Sequence, residues 1–461
     1  MFCITKEEWA SSACLSRYTC FFCLFMDERR KLLLAGAEES RELFIVEKKG
    51  ISYSLMNGSP EEEKESLSGF AASLRILKNG QMGFSWTNNR GALSALESEA
   101  GRMMFDAGSW GWQIALSDET APPAVDIYDH KGLDFDSASI WEELQSMEKK
   151  ARERDSRIKK CLSASFSGGT SKLSIANSSG KNVTAERTGF SEGLLLVAES
   201  GAEVQMGGSY NSGCFREDID RERIIDEAVD DAVSQFEATG LDSGLMNVFL
   251  PPQTACVFLS IIEGWFCADE FLEGRVPSSW KEGTSVGSKL LTVIDDGTIP
   301  RLSGSMPFDS EGVAAKRHKI IDKGVFCEFL TDFRTAGLLG RKSTGSAVRG
   351  VSSLPQPGFF NLFIEKGSDE ISSLLGDGEI LRVDEIIGTH LVDPQTARFS
   401  FGARGRLYKN GKMIKSVRGI TISGGLLEFL HSIKGVGNDL KFYSAQGSPS
   451  LLVGDMQVSG E

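Results

Sequence analysis

Residues 302–350, LSGSMPFDSEGVAAKRHKIIDKGVFCEFLTDFRTAGLLGRKSTGSAVRG, decide how this chain is read. Phe308-Asp309-Ser310-Glu311-Gly312 is a polar turn that feeds a two-strand segment. One strand runs through 319–321 and the other through 325–330, with a turn at Asp322-Lys323-Gly324 between them. The second arm leads to Arg341-Lys342-Ser343-Thr344-Gly345-Ser346, a loop rich in hydroxyls that closes on Arg349. Asp309 and Glu311 stand two apart beside a turn, a pairing that serves either acid–base chemistry or the fixing of backbone N–H groups.

Working outward, Asn361-Leu362 and Gly367 follow, and Gly437-Asn438-Asp439-Leu440 and Ser448-Pro449-Ser450-Leu451 lie near the end. Tyr128-Asp129 and Asn177-Ser178-Ser179-Gly180 stand upstream. This order resembles the TldD/PmbA family of bacterial metallopeptidases over residues 43–460, most closely its PmbA (TldE) branch. In the TldD branch a helix carries His-Glu-x-x-x-His. Its two histidines and a later cysteine hold zinc, and the glutamate is the general base. Such chemistry needs imidazoles on one helical face and an open position for metal-bound water.

The corresponding segment here is Phe258-Leu259-Ser260-Ile261-Ile262-Glu263-Gly264-Trp265. The resemblance puts Ser260 and Ile261 where the His-Glu pair would be and Trp265 where the second histidine would be. No one-residue slip restores a ligand, because the segment has no histidine. The four histidines, His130, His318, His390 and His431, never fall within one helical turn of each other, and no cysteine follows Cys327. The expectation is a chain with no metal ligands, no cofactor and no catalytic residues of its own. The resemblance implies that zinc is carried by a TldD-like partner, in a heterodimer with this chain. Glu263 is the only acid of this helix that faces the lost zinc site, and without a metal it reads as a solvent or interface residue.

Composition narrows the function classes. Net charge −14 over 461 residues argues against a nucleic-acid surface, which wants clustered Lys and Arg. No apolar run reaches the roughly 18–20 residues that span a bilayer. Four of the nine cysteines crowd the first 25 residues, where Cys20-x-x-Cys23 lacks a second pair to complete a metal site. That stretch reads as a disordered or misannotated extension, with Met26 as the start. The remaining cysteines are scattered singly, as expected for the cytoplasm.

The fold class expected is α+β. An N-terminal α/β sandwich-like domain over 26–240 precedes a mainly antiparallel β, pseudo-barrel domain over 241–461. In the first, 41–56 alternates with a turn at Lys48-Lys49-Gly50, and 74–84 is a hairpin tipped by Asn79-Gly80. Helices are expected over 91–107, 137–160 and 218–236, and hairpins over 172–184 and 194–206. The basic end of the second helix, Lys149, Lys150, Arg152 and Arg154, suits the helix dipole and reads as a solvated face. In the second domain, strands are expected at 246–250, 289–294, 319–330, 359–364, 380–387 and 398–418, the last turning at Asn410-Gly411. Short helices are expected at 254–270, 367–375 and 426–433.

Asp309, Glu311, Gly312, Thr344, Gly345 and Arg349 are the candidate peptide-cleft residues, Gly345 admitting a close backbone approach. The alternative for this loop is packing at a domain interface. His390 near Asp393 suggests a hydrolytic pair, yet no nucleophile is identifiable from chain order. Two functions remain open. One is the non-catalytic half of a heterodimeric peptidase acting on unfolded or extended peptides, as the resemblance implies for peptide maturation. The other is a peptide-binding or regulatory homodimer without peptidase activity.

Overall fold

The computed structural model describes residues 29–36, 38–108, 111–114, 121–389, 392–393 and 396–460. The expected N-terminal extension and His390 lie outside the described residues. The architecture is α+β, with 21% helix and 44% strand.

The first unit is built on one antiparallel sheet of seven strands. In chain order these are β1 (Glu39–Met56), β2 (Ser59–Lys78), β3 (Gln81–Thr87), β4 (Phe105–Asp106), β5 (Ile158–Asn177), β6 (Asn182–Ser200) and β7 (Glu203–Gly213). They lie in the order β4-β3-β2-β1-β5-β6-β7. The Asn79-Gly80 hairpin forms as expected, both residues at positive φ. The expected turn at Lys48–Gly50 does not. β1 runs straight through it, with Gly50 opposite Gly169, and a bulge after Gly50 absorbs the break in alternation. A Cβ on Gly169 would sit 2.2 Å from the Lys49 carbonyl oxygen, so glycine is what lets these two strands meet.

Helix Ser137–Arg154 ends six residues before the expected boundary, because Ile158 already starts β5. Helix Arg221–Val233 is likewise shorter than expected, and 91–107 divides into a 3-10 turn (Arg90–Ala95), a helix (Leu96–Arg102) and β4. Asp136 and Asp220 cap the two longer helices by accepting from the backbone N–H groups of Ser139 and Arg223. Ile140, Leu144 and Met147 of one and Ile224, Ala228 and Ala232 of the other bury against Tyr53, Phe166, Phe190 and Leu194 of the sheet. The basic end of the first helix is held by its neighbour: Lys150 and Arg154 pair with Glu222, and Arg154 also with Asp226.

The second unit contains a closed five-strand barrel. Gly244–Leu250 pairs with Leu451–Ser459, then follow Lys412–Gly425, Arg398–Lys409 and Glu379–Ile387, which returns to Gly244–Leu250. A six-strand sheet lies beside it, including Val293–Asp296, Arg317–Asp322 and Leu362–Ile364. The expected second arm over 325–330 is only Val325–Phe326, and 289–294 and 359–364 yield short strands shifted toward their C-terminal ends. One aromatic-rich core joins barrel and sheet. Phe258 stacks on Phe429 at 4.2 Å and meets Phe399 edge-on at 5.4 Å. No helix among the described residues is long and apolar enough to cross a membrane.

Candidate functional site

The segment expected to be one helix over 254–270 is three pieces: Pro252–Ile262, the 3-10 turn Glu263–Phe266, and Ala268–Leu272. Pro252 opens the first piece, where its missing N–H costs nothing. Phe258, Leu259 and Ile262 anchor one face in the core. On this frame Ser260 is exposed and donates its hydroxyl to the Val257 carbonyl at 2.7 Å. Ile261 packs against the core, and the Trp265 ring meets Trp280 edge-on at 5.2 Å. A hydroxyl committed to its own helix, an aliphatic chain and an indole do not make a zinc donor set. The chemistry at these three positions does not fit the metal.

No group of three or more His, Cys, Asp or Glu side chains suited to a metal occurs among the described residues. His318 is buried between the Glu328 carboxylate and the Thr344 carbonyl, at 2.9 Å from each, and His130 lies against Tyr128.

Glu263 sits at the turn after the helix. Burial pushes its carboxyl up to about 7, although the Gln446 side-chain amide donates to it. It faces a cavity of about 650 Å³ whose walls also include Cys267, Asp269, Glu270, Arg334, Trp112 and the segment from Ser353 to Phe359. Burial pushes the Cys267 thiol far up, which leaves it protonated and unreactive. Except for Glu263, none of these walls was singled out from the sequence. Two cues were present there: the acidic run Asp269-Glu270-Phe271-Leu272-Glu273 and the alternation Pro355-Gln356-Pro357.

Of the six residues expected at a peptide cleft, Glu311, Gly312 and Arg349 lie in the seam between the two units, and Asp309, Thr344 and Gly345 are held within the second unit. Asp309 Oδ1 accepts from the Glu311 and Val313 backbone N–H groups at 2.9 Å, and Oδ2 from Ala347 at 3.0 Å. Burial raises its carboxyl to about 6 in spite of these donors. Glu311 accepts from the Phe333 N–H at 2.8 Å and from Arg75 of β2 at 3.2 Å, and burial raises it to about 8.

The Gly312 carbonyl accepts from Lys181 at 2.9 Å. Arg349 donates to Glu42 of β1 and covers the Phe44 ring at 4.0 Å. Thr344 exchanges hydrogen bonds with Thr331, and Gly345 holds positive φ against the Ala314 carbonyl. Asp309, Glu311 and Thr344 are buried, as is the Arg349 side chain. None of the six lines the 650 Å³ cavity, although Val348, next to Arg349, does.

The chain matches the models of three PmbA/TldA metallopeptidase domains: domain 1 at residues 42–104, the central domain at 131–236 and the C-terminal domain at 243–460. A metalloprotease of Methanothermobacter thermautotrophicus is 27% identical over 87% of this chain and 89% of its own length. Two crystal structures share the fold. A Thermotoga maritima protein named for modulation of a DNA gyrase superposes with TM-score 0.83 at 23% identity, covering 94% of this chain and 100% of its own. TldE from Thermococcus kodakarensis gives 0.82 at 19% identity, covering 95% and 100%.

Proposed function

The chain belongs to the PmbA/TldD metallopeptidase family, and from that premise we propose that it is the TldE-like, non-catalytic subunit of a TldD/TldE-type peptidase. It pairs with a TldD-like subunit that carries the zinc, and it contributes walls and binding surface for unfolded or extended peptides during proteolysis or peptide maturation. The observation that carries this reading is the helix Pro252–Ile262 with its turn, where the resemblance sets Ser260 and Trp265 at the ligand positions and Ile261 at that of the general base. A segment without such ligands cannot hold a metal that would lower the pKa of a bound water for attack on an amide.

The cavity beside Glu263 supports the peptide-binding part. It has an aromatic wall at Trp112 and Phe359 and a wall of extended chain at Gln356–Pro357, features that suit a polypeptide ligand better than a small polar one.

The test is zinc content and peptide hydrolysis of the purified chain, alone and mixed with its TldD-like partner. Activity that appears only in the mixture supports the subunit reading. Stoichiometric zinc and chelator-sensitive cleavage by the chain alone overturn it.

A further inference from the structure

The cavity beside Glu263 has a one-sided chemistry. Four carboxylates line it, from Glu263, Asp269, Glu270 and Glu273, against two guanidinium groups, from Arg275 and Arg334. The formal balance is therefore −2. Arg275 is fully engaged, since it forks onto both Glu270 oxygens at 2.6 Å and also pairs with Glu273. Arg334 lies over the Trp112 ring at 5.0 Å, and its field reaches Asp269 without a hydrogen bond between them. Among the described residues, Glu263 and Asp269 thus have no ion-pair partner. Glu263 takes the Gln446 amide and Asp269 the Glu270 backbone N–H at 3.0 Å.

The extended wall adds a second, independent asymmetry. Pro355 and Pro357 have carbonyls to offer and no N–H to donate. The Gly358 N–H between that wall and Phe359 is already given to the Ser346 carbonyl at 2.8 Å. Carboxylates without paired cations and a wall poor in backbone donors together call for a ligand that brings donors and positive charge.

We propose that this cavity receives a lysine or arginine side chain of an extended peptide, seated between Glu263 and Asp269 beside the Pro355–Pro357 wall. The inference rests on the peptide-binding reading above and adds the class of peptide. An ion pair formed inside a partly desolvated cavity is worth more than one at the surface, and it discriminates against partners of the wrong sign. Arg334 would repel a guanidinium or ammonium placed near Trp112, which leaves the Glu263 side of the cavity as the seat. An acidic residue there would meet two carboxylates of its own sign, and an uncharged one would leave Glu263 without a counter-charge.

The test is fluorescence anisotropy of the full-length chain with short labelled peptides that differ only at a central residue: lysine, norleucine or glutamate. The lysine peptide is expected to bind about tenfold or more tightly than the norleucine peptide, and the glutamate peptide most weakly. Glu263→Gln with Asp269→Asn should abolish the lysine preference while leaving norleucine binding in place. Retained norleucine binding also reports that the variant is folded. Equal binding of all three peptides overturns this inference and leaves the peptide-binding reading standing. Binding of none of them overturns both.

Discussion

Arg349 Nη2 lies 2.7 Å from Glu42 Oε1, joining the barrel-bearing unit to the central strand of the first sheet, with neither side chain exposed to solvent. Glu42 also accepts both parallel bonds of Arg75, whose guanidinium in turn reaches Glu311. A single carboxylate therefore holds two buried arginines from opposite units. Breaking a buried pair is costly because of the charge left behind, more than because of the attraction lost.

Glu42→Gln is accordingly expected to destabilise the chain by about 3–5 kcal/mol, measured by urea unfolding. Arg349→Met should cost less, since Glu42 keeps Arg75 and burial already works against the Arg349 charge, lowering its pKa to about 10. Combining the two should recover part of the Glu42→Gln loss. If Arg349→Met proves the more damaging single change, the seam is held by packing on Phe44 and not by charge.

Glu263 predicts a pH dependence with a definite sign. Its folded value, about 7, stands above the ordinary 4.5, so the folded chain holds this proton more tightly than the unfolded chain. Its contribution to stability is complete below pH 4.5 and is lost as pH rises through about 7. Asp295, Asp309 and Glu311 are raised by burial in the same direction, so the measurement is a difference between proteins. The Glu263→Gln variant should gain stability relative to the parent between pH 5 and 8. A constant difference across that window would place Glu263 in solvent.

The aromatic stack under the candidate site sets a cavity-type prediction. Phe258 is 2% exposed and touches Phe429, Phe399 and Phe401. Phe258→Ala should cost about 3–5 kcal/mol in chemical denaturation, because three rings around it cannot close the space. It should also loosen the helix whose turn positions Glu263, so the lysine preference proposed for the cavity should weaken with it.

The parts of the fold legible in the sequence are those with local causes. Asn79-Gly80 and Asn410-Gly411 set their hairpins by backbone conformation alone, and both form. The helix faces led by Ile140 and Ile224 were periodic and are buried as expected. What misled was length. A strand as long as Glu39–Met56 must bulge and twist, so its alternation drifts, and Lys48-Lys49-Gly50 then mimics a turn.

The site divides along the same line. The absence of histidine from 258–265 is a matter of composition and could be read directly. The placement of Asp309, Glu311 and Arg349 opposite Glu42 and Arg75 depends on contacts between residues far apart in the chain, which no local pattern encodes. The cavity walls at Asp269 and Pro355 meet for the same long-range reason.

Gly405 tests the closure of the barrel. It lies opposite Val383 where Arg398–Lys409 meets Glu379–Ile387, beside a bulge in the register. A Cβ there would fall 1.9 Å from the Arg382 carbonyl oxygen, a backbone atom with no rotamer to escape into. Gly405→Ala must therefore part the two strands that close the ring. It should cost about 1–3 kcal/mol or more, as overpacking against a rigid neighbour does. Gly189, also within a strand, meets nothing within 4 Å, so Gly189→Ala should be neutral or stabilise by about 0.4–1 kcal/mol through the unfolded chain. Urea midpoints of the two variants decide the matter. A clear loss for Gly405→Ala and none for Gly189→Ala is expected if the 382–405 contact closes the barrel, and equal small effects would mean that the ring yields there.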